Sequence, residues 1–170
     1  IRDRIAAIRQ AVGNSVKIRV DANQGWDKDT AIKVITKMED MGLDIELVEQ
    51  PVPYYDFDGL KYISDTVDTD ILADESVFSI HDARRIIDAH AADLINIKLM
   101  KTGGIYNALK ICTLAEQAGI QCMIGCMLES KLAVSAAAHL AAAKNVITMA
   151  DLDGPSLCRN DPYIGGPVFK

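Results

Sequence analysis

The sequence predicts an α/β fold in which parallel strands build part of a β/α barrel, and three observations predict it. Short β-branched runs alternate with stretches whose apolar residues recur at three and four, which is the signature of repeated βαβ units. Each of the first four core runs closes on a polar or charged residue: VDAN at 20–23, VEQP at 48–51, ADES at 73–76 and IKLMK at 97–101. In a β/α barrel that end of the strand carries the active site, because the following loops converge on one mouth. Neither phosphate-cradling fingerprint of an open nucleotide-binding sheet occurs, since Gly103-Gly104 is only a pair and no G-x-x-x-x-G-K-[ST] exists.

The chain opens on IRDRIAAIRQAVG, an amphipathic helix already in progress, as expected for a piece of a larger protein. Strands are predicted at 16–22, 45–50, 70–74, 93–98, 121–126 and 146–150, each a β-branched or apolar run of strand length. Helices are predicted over 28–41, 57–67, 80–90, 104–118 and 130–143. Ser79 with Asp82 resembles a capping box, and Gly42 and Gly119 stand where helices should stop. With no internal repeat, linker or low-complexity segment, residues 1–170 read as a single barrel domain fragment.

The 170 residues are 49% hydrophobic and 25% charged, enough apolar material for a packed core. A formal charge of -6 without any Lys/Arg-rich run argues against nucleic acid and anionic membranes, where positive charge supplies most of the affinity. No apolar stretch reaches the length of a membrane span, and no signal peptide is recognisable. Cys112, Cys122, Cys126 and Cys158 form no metal-ligand spacing and read as reduced residues of a cytoplasmic protein.

Residues two apart on a strand share a face. If Asp21, Glu49, Asp74 and Lys98 point inward, then Arg19, Leu47, Leu72 and Asn96 lie one layer below, and Val20, Val48, Ala73 and Ile97 face the helices. Glu46 breaks this pattern. Three carboxylates converging on one mouth repel one another unless a cation joins them. A hard divalent ion with oxygen ligands answers that cost, and Mg2+ fits better than Zn2+ because no His or Cys ends a strand in the same way. Lys98, one strand further on, is then placed to act as a general base on a carbon beside a carboxylate, its pKa lowered by the metal and by desolvation. Lys101 has the opposite parity, which makes it a supporting residue rather than the base. Arg19, Asn23, Asn96 and Lys101 are expected to orient the groups that do the chemistry. Gln50 and Glu75 adjoin ligands and take at most a similar part. His81, His90 and His139 lie in helical stretches and read as surface or packing residues. Met100, Met123, Met127 and Cys126 read as core filler. Trp26 is either a pocket wall or a loop anchor.

At these residues the chain is similar to the enolase superfamily, and within it to the muconate-lactonizing subgroup and its dipeptide epimerases. The resemblance rests on an ordered set: DAN, EQP 28 residues after Asp21, ADES with Asp74 25 after Glu49, and KLMKTGG with Lys98 24 after Asp74. It implies a partial TIM-like barrel of the (β/α)7β type with about six of its strands present. It also implies Mg2+ on Asp21, Glu49 and Asp74, and one of two acid/base lysines at Lys98. Asp151-Leu152-Asp153 resembles the D-x-D that holds a dipeptide's α-ammonium group, although such a pair can also be a plain helix cap, and Glu129 of GCMLES is expected in the same pocket. The expected substrate is a small carboxylate or dipeptide, epimerised in the L-Ala-D/L-Glu manner.

Departures from the family pattern stand beside this. The family's other lysine, in K-x-K on an earlier strand, and its substrate-covering domain have no counterpart in the sequence. Open strand edges are expected to be covered by self-association or by further chain segments. Another reaction of the subgroup (cycloisomerase, o-succinylbenzoate synthase, N-acylamino-acid racemase) and a catalytically incomplete fragment are the alternatives.

Overall fold

The computed structural model describes residues 2–168. Its elements are α1 (Arg2–Val12), β1 (Ile18–Asp21), α2 (Lys28–Asp40), β2 (Ile45–Glu49), α3 (Phe57–Ser64), β3 (Asp70–Ala73) and α4 (Ile80–Ala89). There follow β4 (Leu94–Lys98), α5 (Leu99–Thr102), α6 (Ile105–Ala118), β5 (Gln121–Gly125), α7 (Lys131–Ala143), β6 (Ile147–Asp151) and α8 (Gly154–Leu157). All six expected strands and every expected helix are present within a few residues of their predicted bounds. The one-turn helices α5 and α8 were outside the prediction, because a single turn carries no periodicity to read.

Helix ends follow from local chemistry. Asp27 and Asp56 cap α2 and α3 by accepting from the backbone N–H of Thr30 (2.7 Å) and Gly59 (2.9 Å). The expected capping box at α4 forms, with Asp82 Oδ2 accepting from Ser79 N at 2.9 Å and Ser79 Oγ accepting from Asp82 N at 3.3 Å. Gly42 and Gly119, at φ 62° and 73°, take the left-handed conformation that lets α2 and α6 stop.

The described residues form two compact units, 2–76 with 88–93, and 77–87 with 94–168. In the first, β1, β2 and β3 pair in parallel, with Asp21 beside Glu49 and Glu49 beside Leu72. Its core is Leu47, Val48, Ile71 and Leu72 under Ile35, Met38, Leu60 and Ile63, all 1% exposed or less. Each such side chain contributes roughly 1.5–3 kcal/mol on burial. Arg9 is buried as well, and its guanidinium donates to the carbonyls of Leu43 (3.0 Å), Gly13 (2.7 Å), Val16 (2.7 Å) and Asp44 (2.9 Å). That fork ties the end of α1 to the segments entering β1 and β2.

The ladder between β1 and β2 skips one residue: Ile18 lies beside Ile45 and Arg19 beside Leu47, so Glu46 is the extra residue of a bulge. This accounts for the break in parity at Glu46. Its carboxylate reaches Arg19 Nε at 2.6 Å, which strict alternation would have forbidden.

In the second unit β4, β5 and β6 pair in parallel, with Lys98 beside Gly125 and Gly125 beside Asp151. A matching bulge leaves out Thr148. Ile95, Ile97, Cys122, Met123 and Ile124 pack with Ile111, Cys112, Ala115, Val134 and Ala137 as its core. All four cysteines are free thiols. Burial pushes Cys112 up to about 11 and Cys122 still higher. Met123 is core filler as expected, whereas Met100 and Met127 are exposed and Cys126 is half-buried, because they follow the strands rather than lying in them. Among the described residues no helix is long and apolar enough to cross a membrane.

Candidate active site

The first unit brings the three expected metal ligands to the ends of adjacent strands. Asp21 closes β1 and is exposed; Glu49 closes β2 beside it and is buried; Asp74, 1% exposed, follows β3 two residues beyond Leu72, Glu49's neighbour. With strands about 4.8 Å apart, two carboxylates in register share one edge of a site. The donor set is all oxygen, and Asn23 adds to it by holding Asp21: its N–H donates to Asp21 Oδ1 at 2.7 Å. That chemistry and register fit a hard divalent cation. Among the described residues no three His, Cys, Asp or Glu side chains are already gathered closely enough to form a metal centre.

What holds this tier is Gln50, for which sequence reasoning allowed at most a supporting part beside Glu49. Gln50 is fully buried with φ at 35°, a conformation unusual for a residue with a side chain. Its Oε1 accepts from the N–H of Asp74 (2.9 Å) and Ser76 (3.1 Å), and its Nε2 donates to Val52 O and Ser76 Oγ, both at 2.9 Å. Every amide valence is used, which is the condition under which a buried amide stabilises rather than costs. One side chain thereby locks the EQP segment to the ADES segment. The signal available in the sequence was a glutamine between two otherwise apolar strand ends, with a serine two residues past the next acid. Trp26 resolves as a loop anchor: it is buried, and its N–H donates to Pro51 O at 3.0 Å.

Arg19 turns its Nε to Glu46, both being partly exposed, rather than only underlying the acids. The three histidines are exposed.

In the second unit Lys98 ends β4 with its side chain partly exposed. Beneath it Asn96 is 1% exposed, and its carbonyl accepts from Lys101 Nζ at 2.9 Å. Lys101 is itself buried, with its ammonium 5.9 Å from the centre of the Phe78 ring.

Glu129 follows β5, while Asp151 ends β6 and Asp153 begins α8. Burial raises the Cys126 thiol, a hydrogen bond with Gly154 lowers it, and the charges of Glu129, Asp151 and Asp153 raise it by smaller amounts. Glu129 is buried and accepts from Met127 N at 3.0 Å; Asp151 and Asp153 are exposed. Asp153 stands at the N-cap position of α8, yet its carboxylate makes no capping hydrogen bond. That observation removes the plain-cap reading of this D-x-D for Asp153.

Comparison with known proteins agrees with this layout. The family model described as enolase C-terminal domain-like matches residues 1–169. The chain is 57% identical over 166 residues to the L-Ala-D/L-Glu epimerase of Clostridium acetobutylicum, covering 98% of this chain and 46% of that protein. It is 46% identical over 153 residues to an N-succinyl-L-Arg/Lys racemase of Bacillus cereus, covering 89% and 41%. Among solved structures it is similar to a substrate-liganded L-Ala-D/L-Glu epimerase from Bacillus subtilis (TM-score 0.96, 51% identity, 99% of this chain and 47% of that one). It is also similar to a dipeptide epimerase from Enterococcus faecalis complexed with Mg and L-Leu-L-Tyr (TM-score 0.93, 51% identity, 97% and 46%). The chain thus spans about half the length of the relatives it matches, and its six strands with intervening helices are those of part of the enolase-type barrel. On sequence and fold alike, this chain belongs to the enolase C-terminal domain-like family.

Proposed function

We propose that the chain carries the metal-binding acids and one proton-transfer lysine of an Mg2+-dependent epimerase acting on dipeptides of the L-Ala-D/L-Glu type. The observation that carries this reading is the set of three carboxylates ending three adjacent strands, two of them buried and one, Asp74, held at its backbone by Gln50, in a chain more than half identical to such an epimerase. Asp21, Glu49 and Asp74 would hold Mg2+, which when bound supplies the positive charge that steadies a substrate carboxylate as the adjacent carbon loses its proton. Lys98 accepts that proton at Nζ, a step worth roughly 10²–10⁴-fold. Asn96 and Lys101 hold the strand end from which Lys98 extends. Glu129, Asp151 and Asp153 present the negative charge that suits the free ammonium of a dipeptide, a group that an N-acylated amino acid lacks. We place the protein in the cytoplasm on the strength of its four reduced thiols, and infer that β1, paired among the described residues only with β2, is covered by self-association or by other chain segments.

The test is deuterium uptake from D2O at the α-carbon of the C-terminal residue of L-Ala-L-Glu, followed by NMR in the full-length protein with Mg2+ or with chelator. Mg2+-dependent uptake that Lys98→Ala abolishes for at least one epimer is the expected result. Turnover unchanged by Lys98→Ala would remove the base assignment. Equal weakening of dipeptide and N-succinyl substrates by Asp151→Asn would shift the reading to an N-acylamino-acid racemase.

A further inference from the structure

Lys98 and Gly125 are register partners at the ends of β4 and β5. Gly125 is buried, and its backbone is not in the left-handed region, so conformational freedom does not explain a glycine there. Space does. A methyl group at this position would lie 2.8 Å from Lys98 Cε, and 2.7 and 2.8 Å from Asn96 Oδ1 and Nδ2. Ordinary contact begins at 3.4 Å, so both neighbours must give way, each by about 0.6–0.7 Å. Asn96 is closed in at 1% exposure and moves only with its surroundings, while Lys98 is partly exposed and takes up its share by turning its end aside. On its other side Gly125 neighbours Asp151, so β5 itself contributes no side chain between the lysine strand and the aspartate strand, which lie roughly 10 Å apart.

We infer that Gly125 is a positioning residue for proton transfer: its missing side chain is the seat across which Lys98 runs, and it sets where the ammonium nitrogen meets the substrate's α-carbon. The inference rests on the reading of Lys98 as the base. A side chain at 125 would move that nitrogen without removing it, and a displacement of this order costs about 10- to 100-fold in a proton-transfer step.

The experiment compares Lys98→Ala, Gly125→Ala and the double variant in the full-length protein with Mg2+, following α-proton exchange in D2O from L-Ala-L-Glu and from L-Ala-D-Glu separately. Lys98→Ala first identifies the epimer whose proton faces the lysine, by abolishing its exchange. Gly125→Ala is expected to lower kcat for that same epimer about 10- to 100-fold, with KM changed less than about threefold and the opposite epimer much less affected. In the double variant the methyl adds nothing to the loss caused by Lys98→Ala. If Gly125→Ala alone does not fold, Asn96→Ala is added to it and to the double variant so that the methyl meets Lys98 alone. Folding recovered only where Lys98 is also replaced by Ala supports the same steric relation, and misfolding with Lys98→Ala present overturns it. Wild-type exchange in Gly125→Ala, or equal slowing of both epimers, overturns the inference while leaving Lys98 as the base. If Lys98→Ala abolishes exchange from neither epimer, both readings fall.

Discussion

Replacing Gln50 by Glu keeps the shape of the side chain and changes one atom's role. The oxygen that accepts from the N–H of Asp74 and Ser76 remains, but the amide nitrogen that donates to Val52 O and Ser76 Oγ at 2.9 Å becomes a second acceptor. Val52 O then faces a carboxylate with no proton between them, in a place where Gln50 is 0% exposed. Leaving a buried acceptor unpaired costs about 1–3 kcal/mol, and an unpaired charge costs more, so Gln50→Glu should destabilise by about 2–4 kcal/mol at neutral pH. The sign of its pH dependence follows from the same geometry. Burial against a carbonyl raises the new carboxyl's pKa above its unfolded value, so the folded state binds the extra proton, and stability falls as pH rises through that folded value. The measurement is urea unfolding at pH 5 and pH 8, with Mg2+ affinity by calorimetry alongside. On the proposed reading the Mg2+ affinity should fall about 10-fold, because the donations to Val52 O and Ser76 Oγ that hold the EQP and ADES segments together are lost. A urea midpoint within about 0.5 kcal/mol of wild type at both pH values would refute the clamp.

Three further outcomes follow from the structure. Arg9→Ala removes four donations to backbone carbonyls and should destabilise by about 3–5 kcal/mol after allowing for non-additivity, whereas Arg9→Lys should keep less than half of that contribution; a thermal-melt shift below 2 °C for Arg9→Ala would contradict it. Thiol titration with an aromatic disulfide at pH 8 should count two reactive cysteines in the native protein, Cys126 and Cys158, and four in urea, because Cys112 and Cys122 are buried as neutral thiols. Asp161 accepts from Lys131 N at 2.6 Å at the start of α7, and that hydrogen bond holds its pKa below 3.8. Its support of α7 is therefore present above pH 3.8 and lost as pH falls through the lower folded value, so the protection of amides in the first turn of α7 should drop there in wild type and be low already at pH 7 in Asp161→Ala, by hydrogen exchange.

The strands and long helices were legible because burial on a two- or 3.6-residue period writes itself into composition. The opposite parity of Lys98 and Lys101 could be counted in the same way. Three things were not legible. The bulge at Glu46 is a backbone event that no residue type announces, and it alone made Glu46 look misplaced. Gln50 was visible only as a neighbour of Glu49, since its partners lie two and 24–26 residues away and nothing local marks a fully satisfied amide. Gly125 read as an ordinary strand end, because the reason for a missing side chain sits on the adjacent strand.

Arg9, which binds the backbone entering β1 and β2, is one of three side chains in the first unit that staple strand backbone, and the other two both serve β3. Glu39, near the end of α2, accepts from the N–H of Asp68 and Thr69 at 3.0 and 2.8 Å ahead of β3, and Asp93 accepts from Ile71 N at 2.8 Å within it. A splice between related barrels is thus constrained by ownership of these staples. A crossover placed between Glu39 and Asp68 transfers an acceptor without its donors, even when both parents share every motif of the catalytic rim. Crossovers that keep each staple with its strand would exchange whole β/α modules and leave the rim's register intact.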